Sequence, residues 1–445
     1  MVFLKKAFSF VLCLALIFSL SGCISSAGTE NSNFLSPPKP SGDMLEIKET
    51  LEESVQGKIS LKYPTAGEYR SAYILADIMK SGKENFALAF YSMIDSENVS
   101  SMHLNLMKKA DDDWVSISDV SVAAVGVEKV VIDDLNGDGT NEIAVGWNVF
   151  GGVDKSLMVY GLKGVALVPL AQESYTDFLC CDMEEKGYSS LFVLTHNLSE
   201  GLATAKLFSF EDSSVKNVGS CLLDGQVTTF YTPVFSKLTN NHPAVFIDSA
   251  KGTGTQTEVV YFENGGLKRA DFVIDESGTL STYRNMAVLS TDINDDGIYD
   301  IPLGDSSIAF RPKEYSKTAA TTIKWCSYNT TGFVTSIFAV MNYTDGYYLE
   351  IPVRWLGKVT IDALTESRTY TVSIWDTEKS NKMGEILKIR TVTDTEWDKK
   401  NNGLEAYSEV MRNGNLVYIA TIGNYQGTEK TDLEEIKSLI NIIGE

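Results

Sequence analysis

The chain has 445 residues, 44% hydrophobic and 10% aromatic, enough for more than one packed core. Asp and Glu number 59 against 38 Lys and Arg, a formal net charge of -21, which argues against a nucleic-acid binder and against electrostatic adhesion to an anionic membrane. Six cysteines without a CxxC pair argue against a disulfide framework and against a zinc site.

The first element in chain order is a secretory segment. Lys5 and Lys6 precede an apolar run over residues 7–20, which ends in Leu20-Ser21-Gly22-Cys23. The run is shorter than the roughly 20 apolar residues a membrane helix needs. The four closing residues resemble the lipobox of bacterial lipoproteins. That resemblance implies removal of residues 1–22, lipidation of Cys23 as the new N-terminus, and attachment to the outer face of a cell membrane through the lipid. Residues 23–42, with Pro37, Pro38 and Pro40 among Ser, Asn and Gly, then read as a flexible tether.

Met44, Ile47, Leu51 and Val55 recur at helical spacing, so a short amphipathic helix is expected, with Asp43 as its N-cap and Gly57 as its stop. From residue 58 the pattern changes to short Val-, Ile-, Phe- and Tyr-rich runs between Gly, Asn and Asp turns. Residues 129–132, 143–145, 191–194 and 259–262 are examples, and the pattern predicts a mainly β body. The Gly252-Thr253-Gly254-Thr255 stretch lacks the Lys-Ser/Thr of a phosphate loop and is expected to be a hairpin turn.

Within this body one unit recurs. Residues 134–142 read DLNGDGTNE and residues 292–300 read DINDDGIYD, each followed by an apolar run. Both place acidic or amide side chains at positions 1, 3, 5 and 9 and glycine at position 6. Fainter copies start at Asp77, Asp182 and near Lys237. The five starts are spaced by about 54 residues, (292 − 77)/4. An all-β repeat of this length predicts propeller blades of four strands each, five to seven in number.

The chemistry of the two strong copies points to calcium, a hard ion that takes six to eight oxygen ligands. Asp134, Asn136, Asp138 and Glu142 in one loop, and Asp292, Asn294, Asp296 and Asp300 in the other, are the candidate side-chain ligands. The carbonyls of Thr140 and Ile298, at position 7, are expected to add a ligand each. Gly139 and Gly297 permit the backbone angle of the turn. EF-hands and dockerins need a carboxylate at position 12 and flanking helices, whereas Val145 and Leu303 stand there between strand-like flanks. The loops instead resemble the FG-GAP and VCBS-type repeats of the integrin alpha-chain propeller family, over residues 58–325. The resemblance implies structural calcium at both strong loops, with Glu142 replacing the family's Asp at position 9. The Asp77 and Asp182 loops have lost ligands (Met79 and Ser81 in one, Lys186 in the other), and no calcium is expected there.

After about residue 320 the chain changes character. Strands are expected at 347–352, 358–361, 370–375, 385–391 and 416–422, a short helix at 395–401 and an amphipathic helix at 432–443. The expected organisation is therefore a signal peptide over 1–22 and a lipidated linker over 23–42. The helix and propeller then occupy 43–325, and a smaller α+β domain 326–445, which could instead contribute a last blade. Of the cysteines outside the signal and lipid positions (Cys180, Cys181, Cys221 and Cys326), buried free thiols are favoured over a single disulfide. No catalytic motif is evident, and His103, His196 and His242 have no metal-ligand spacing. Function is expected to be that of a lipid-anchored, calcium-binding surface scaffold for a protein or glycan, with an extracellular hydrolase or lyase on a propeller frame as the alternative.

Overall fold

The computed structural model describes residues 42–443 apart from 56, 95–99, 112, 150–154, 212–213, 274–279, 306, 311–319 and 400–402. The signal segment 1–22, Cys23 and the tether through residue 41 lie outside the described residues. Helix α1 (Asp43–Ser54) opens the body. Gly42, not Asp43, occupies its N-cap, at φ +60°, and the Asp43 carboxylate is drawn instead to Lys109 at 2.9 Å.

The rest of the described residues are mainly β, in six antiparallel sheets that follow one another along the chain. Sheet I holds β1 (Ile59–Leu61), β2 (Tyr73–Ala76), β3 (Phe86–Ile94), β4 (Ser100–Ala110) and β5 (Asp113–Val122), with β1 and β2 both paired to β3. Sheet II is β6 (Gly126–Asp133), β7 (Glu142–Asn148), β8 (Lys155–Lys163) and β9 (Ala166–Tyr175). Sheet III is β10 (Asp177–Cys181), β11 (Ser190–Asn197), β12 (Leu202–Glu211) and β13 (Ser214–Leu223). Sheet IV holds β14 (Thr229–Phe230), β15 (Val234–Lys237), β16 (Pro243–Lys251), β17 (Gly254–Glu263) and β18 (Gly266–Arg269). Gly252 and Thr253 make the expected hairpin turn between β16 and β17.

Sheet V runs β19 (Ile301–Gly304), β20 (Thr321–Tyr328), β21 (Phe333–Asn342), β22 (Tyr347–Glu350) and, from the far end of the chain, β28 (Ile440–Ile442). Sheet VI contains β23 (Val359–Leu364), β24 (Thr369–Asp376), β25 (Asn381–Thr393), β26 (Ser408–Asn413) and β27 (Leu416–Ile422), with helix α2 (Asp394–Asp398) after β25 and helix α3 (Leu433–Leu439) after β27.

Consecutive sheets pack face to face, and the period-2 geometry of a strand explains how. On β11, Phe192 and Leu194 face a core shared with sheet IV, while Leu191 and Val193 face a core shared with sheet II. On β16, Val245 and Ile247 face sheet III and Ala244 and Phe246 face sheet V. Both faces are buried, so these strands read as unbroken apolar runs, not as alternating ones. Sheets I and II share a core through Leu88, Leu104, Val145 and Trp147. The other face of sheet I, bearing Ala87, Ala89 and Tyr91, is covered by Ile47 and Leu51 of α1.

Two expectations about the C-terminal third are corrected. The boundary at 325/326 falls inside β20, and sheet V runs on to Glu350. Sheet VI then shares one continuous core with sheet V through Val340, Leu349, Val359, Leu387 and Ile389. The expected helix over 432–443 stops at Leu439, because Ile440–Ile442 pairs with Tyr347–Leu349 and completes sheet V. The four described cysteines, Cys180, Cys181, Cys221 and Cys326, are free thiols. No helix among the described residues is long and apolar enough to cross a membrane.

Candidate metal centres

Each repeat start lies just before a strand of a different sheet, an inner strand in sheets I to IV and the edge strand β19 in sheet V. The starts at Asp77, Asp134, Asp182 and Lys237 lead into β3, β7, β11 and β16, and Asp292 leads into β19. These are loops I to V. Position 2 is apolar and buried in all five: Ile78, Leu135, Met183, Leu238 and Ile293. It anchors each loop to the body.

Loops I, II, III and V share one backbone path. Position 4 has positive φ in each (Lys80 48°, Gly137 76°, Glu185 56°, Asp295 58°). So does the glycine at position 6 (Gly82 78°, Gly139 84°, Gly187 83°, Gly297 81°). Such angles are unfavourable for a side chain bearing Cβ, so glycine recurs at position 6. The position 1 carboxylate ties the turn in every case. Asp77, Asp182 and Asp292 accept the N–H groups of positions 5 and 6, whereas Asp134 accepts those of Gly137 and Gly139.

Loops II and V go further and carry the same wiring at positions 3, 5, 7 and 9. The position 9 carboxylate accepts the position 2 N–H: Leu135 to Glu142 at 2.8 Å and Ile293 to Asp300 at 3.4 Å. The position 5 carboxylate accepts the position 7 N–H: Thr140 to Asp138 at 2.7 Å and Ile298 to Asp296 at 2.8 Å. The position 3 amide donates to the position 5 carboxylate: Asn136 to Asp138 at 3.2 Å and Asn294 to Asp296 at 2.9 Å. Asn136 donates to Glu142 as well, at 3.0 Å.

The position 9 groups sit deepest: Glu142 is 3% exposed and Asp300 1%. Burial pushes the Glu142 carboxyl up to about 7; the Leu135 N–H opposes the rise, and Asp138 and Asp134 add to it. Burial likewise pushes Asp300 up to about 6, opposed by the Ser336 hydroxyl and the Ile293 N–H and assisted by Asp296 and Asp292. Burial raises Asp134 too, but Lys80 and the loop amides outweigh it and hold the group below the usual carboxylate range.

The loops differ in what answers their charge. In loop II the Lys80 ammonium, from loop I on the neighbouring sheet, lies 3.1 Å from Asp134. In loop III, Lys186 reaches Glu184 at 3.0 Å and Ser209 at 2.9 Å, so a cation of the chain's own occupies that loop. In loop V, among the described residues, no Lys, Arg or His lies in ion-pair distance of Asp292, Asp296 or Asp300. Adjacent loops also touch in register. Asn141 of loop II donates its N–H to Ile78 O (2.7 Å), and Ser189 of loop III donates to Asp134 O (3.0 Å). The Tyr188 ring lies where a Cβ on Gly137 would stand. Lys80, Ser336 and Tyr348, whose hydroxyl donates to Ile293 O at 2.8 Å, escaped the sequence reading. The faint copy starting at Asp77 puts Lys80 at its position 4, but nothing in the sequence sets that lysine against Asp134.

Oxygen donors of this kind and number fit a calcium ion chemically. Among the described residues, no three His, Cys, Asp or Glu side chains converge tightly enough to hold an ion as they stand. In both loops the position 3 amide NH₂ is turned toward the carboxylates. A half-turn of that amide presents Oδ1 in its place, so the same side chain can act as a ligand.

No family model and no curated protein matches the chain. Among solved structures it is similar to rhamnogalacturonan lyase YesW, at 12% identity over 73% of this chain and 76% of that one, with a TM-score of 0.32. It is also similar to the rhamnogalacturonan lyase PL11 of Bacillus licheniformis (12% identity, 74% and 81% covered, TM-score 0.32). A third is an exo-β-1,3-galactanase from Phanerochaete chrysosporium (10% identity, 75% and 79% covered, TM-score 0.27). At these scores no activity transfers to this chain.

Proposed function

We propose that the chain is a lipid-anchored, extracytoplasmic binding scaffold, with its sheets arranged as blades of a propeller of the FG-GAP/VCBS kind and stiffened by calcium. The observation that carries this reading is the common wiring of loops II and V, two acidic turns 158 residues apart (292 − 134) at equivalent places on different sheets. In loop V, Asp292, Asn294, Asp296, Asp300 and the Ile298 carbonyl would hold the ion. In loop II, Asp134, Asn136, Asp138, Glu142 and the Thr140 carbonyl would do so against competition from Lys80. Calcium supplies the positive charge that lets three crowded carboxylates share one turn. Extracellular sites of this kind bind at roughly 10⁻⁴–10⁻³ M, which suits a protein held outside the membrane by Cys23.

A protein or glycan ligand is the partner this reading implies. A cavity of about 480 Å³ beside loop V, lined by Val288, Ser290, Trp325, Met341, Tyr343 and Asp292 itself, places an apolar floor next to the proposed ion. The test is thermal melting of the full chain in detergent, with chelator and with millimolar calcium. Millimolar calcium is roughly one to ten times the Kd of such a site and stabilises the folded form by about 0.4–1.4 kcal/mol per site. The parent should melt higher in calcium, and the Asp134→Ala/Asp292→Ala double variant should lose that response. Equal responses in the two proteins would reduce both loops to ordinary turns.

A further inference from the structure

Sheet I carries a second constellation, unrelated to the loops. Ser101, His103 and Asn105 alternate along β4 and therefore share one face. Tyr91 on β3 stands opposite His103, and Asp119 on β5 stands opposite Asn105. On this face Ser101 Oγ lies 3.0 Å from His103 Nε2, and His103 Nδ1 lies 2.7 Å from Asp119 Oδ1. The second carboxylate oxygen of Asp119 is fixed by the Tyr91 hydroxyl at 2.7 Å and the Asn105 amide at 2.9 Å. The Tyr91 ring stacks on the imidazole, with centroids 4.8 Å apart and planes 16° from parallel.

The chemistry of each group sets its role. An ionised carboxylate only accepts, so the imidazole N–H belongs on Nδ1, facing Asp119. That leaves a lone pair on Nε2, and the Ser101 hydroxyl is then the donor. The ring is held by stacking and by Asp119, and Asp119 is itself held by two further donors. His103 is 8% exposed, whereas Ser101 is half-buried and the Asp119 side chain keeps 33% of its surface. The face is the one covered in part by α1, whose Ile47 and Leu51 pack beside Tyr91, and Ser101 itself is only half-buried there.

We infer that Ser101, His103 and Asp119 form a nucleophile–base–carboxylate relay that makes Ser101 reactive toward small activated acyl esters. Nucleophile and base stand within the 2.6–3.2 Å over which such proton transfer operates. With p-nitrophenyl acetate, Ser101 Oγ bonds to the acetyl carbon as its proton passes to His103 Nε2. The ester C–O bond breaks, and p-nitrophenolate leaves with the electron pair. The proton on Nε2 returns to the phenolate or to buffer. Water then attacks the acetyl group with His103 again as base, releasing acetate and restoring Ser101. Asp119 balances the transient imidazolium and, with Tyr91 and Asn105, acts as a positioning residue. This site stands apart from the calcium reading and does not depend on it.

The test is to incubate the full chain in detergent with p-nitrophenyl acetate, follow its mass, and map the acetylated peptide. The parent should acquire one acetyl group on Ser101. Ser101→Ala should lose that label. His103→Asn should label at least about tenfold more slowly, since a positioned base contributes about 10²–10⁴. The presence of the acetyl group on the parent's own Ser101 peptide is a readout that holds even where a variant fails to fold. Absence from the parent of both acetyl at Ser101 and p-nitrophenolate release above that of Ser101→Ala, a label on other residues only, or equal rates in parent and folded His103→Asn would each overturn the relay.

Discussion

Lys80→Met isolates the charge that distinguishes loop II from loop V. The ammonium lies 3.1 Å from Asp134, with the lysine side chain 49% exposed and the aspartate side chain 6%. An ion pair this open to water contributes about 0.2–1 kcal/mol, and the exposure of the lysine keeps the figure at that scale. Calcium must displace the ammonium from Asp134, so removing it should tighten binding at loop II by the same amount. That is a factor of about 1.4–5, since 1.4 kcal/mol is tenfold. Methionine keeps the aliphatic stem and adds no new backbone penalty at φ 48°, because lysine already bears a Cβ there. The size of the stability effect should then depend on calcium. In chelator the variant loses the pair and should be less stable by up to about 1 kcal/mol. In saturating calcium a fivefold tighter site returns RT ln 5, about 0.9 kcal/mol, and the difference should vanish. The assay is isothermal titration in an Asp292→Ala background, so that loop II alone is read, with urea unfolding at both calcium levels. An affinity equal to or weaker than that of the Lys80 protein would show that the ammonium does not compete with an ion.

Three other outcomes follow from particular residues. Cys23→Ser should release the chain from the membrane fraction; a variant that still sediments with membranes as the parent does would rule out the lipid anchor. Arg284, 2% exposed, donates to Asp248 (3.0 Å), Thr257 (2.9 Å), Thr282 O (3.1 Å) and Val288 O (2.5 Å). Arg284→Met should lower the urea-derived stability by about 3–5 kcal/mol, because it strands a buried Asp248. Asp248 also accepts the Ser290 N–H two residues before Asp292, so calcium binding at loop V should weaken in the same variant. Gly297→Ala meets no atom within 4 Å of the new Cβ, so its effect should be the backbone penalty alone, about 1–2 kcal/mol at φ +81°. Gly266→Ala, equally open but without a positive φ, is the near-neutral control, and equal losses in the two would refute the conformational argument.

The sequence alone determined what depends on near neighbours along the chain. An Asp that caps its own turn, a glycine that permits φ near +80°, and a following apolar run are local requirements, so five loops separated by about 54 residues could be aligned by eye. That alignment also placed one loop in each of sheets I to V, including the faint copy at Lys237, whose Leu238 is as buried as its counterparts. The β character was legible for the same reason: strands buried on both faces cannot hide their apolar composition.

Tertiary structure decided whatever depends on which strands meet. The sequence places Lys80 54 residues before Asp134, and only the packing of sheet I on sheet II sets its charge against that loop. The boundary expected at 325/326 falls inside β20, which pairs with β19 across residues 305–320 of the chain, a connection too long to be read as a tight hairpin turn. Ile440–Ile442 reads as the last turn of an amphipathic helix, and its pairing with β22, about 90 residues earlier in the chain, overrode that propensity. Ser101, His103 and Asp119 show no motif in order along the chain. Strand register alone brings a serine, an imidazole and a carboxylate onto one face, since register is fixed by the hydrogen bonds and apolar contacts of neighbouring strands and not by any one of them.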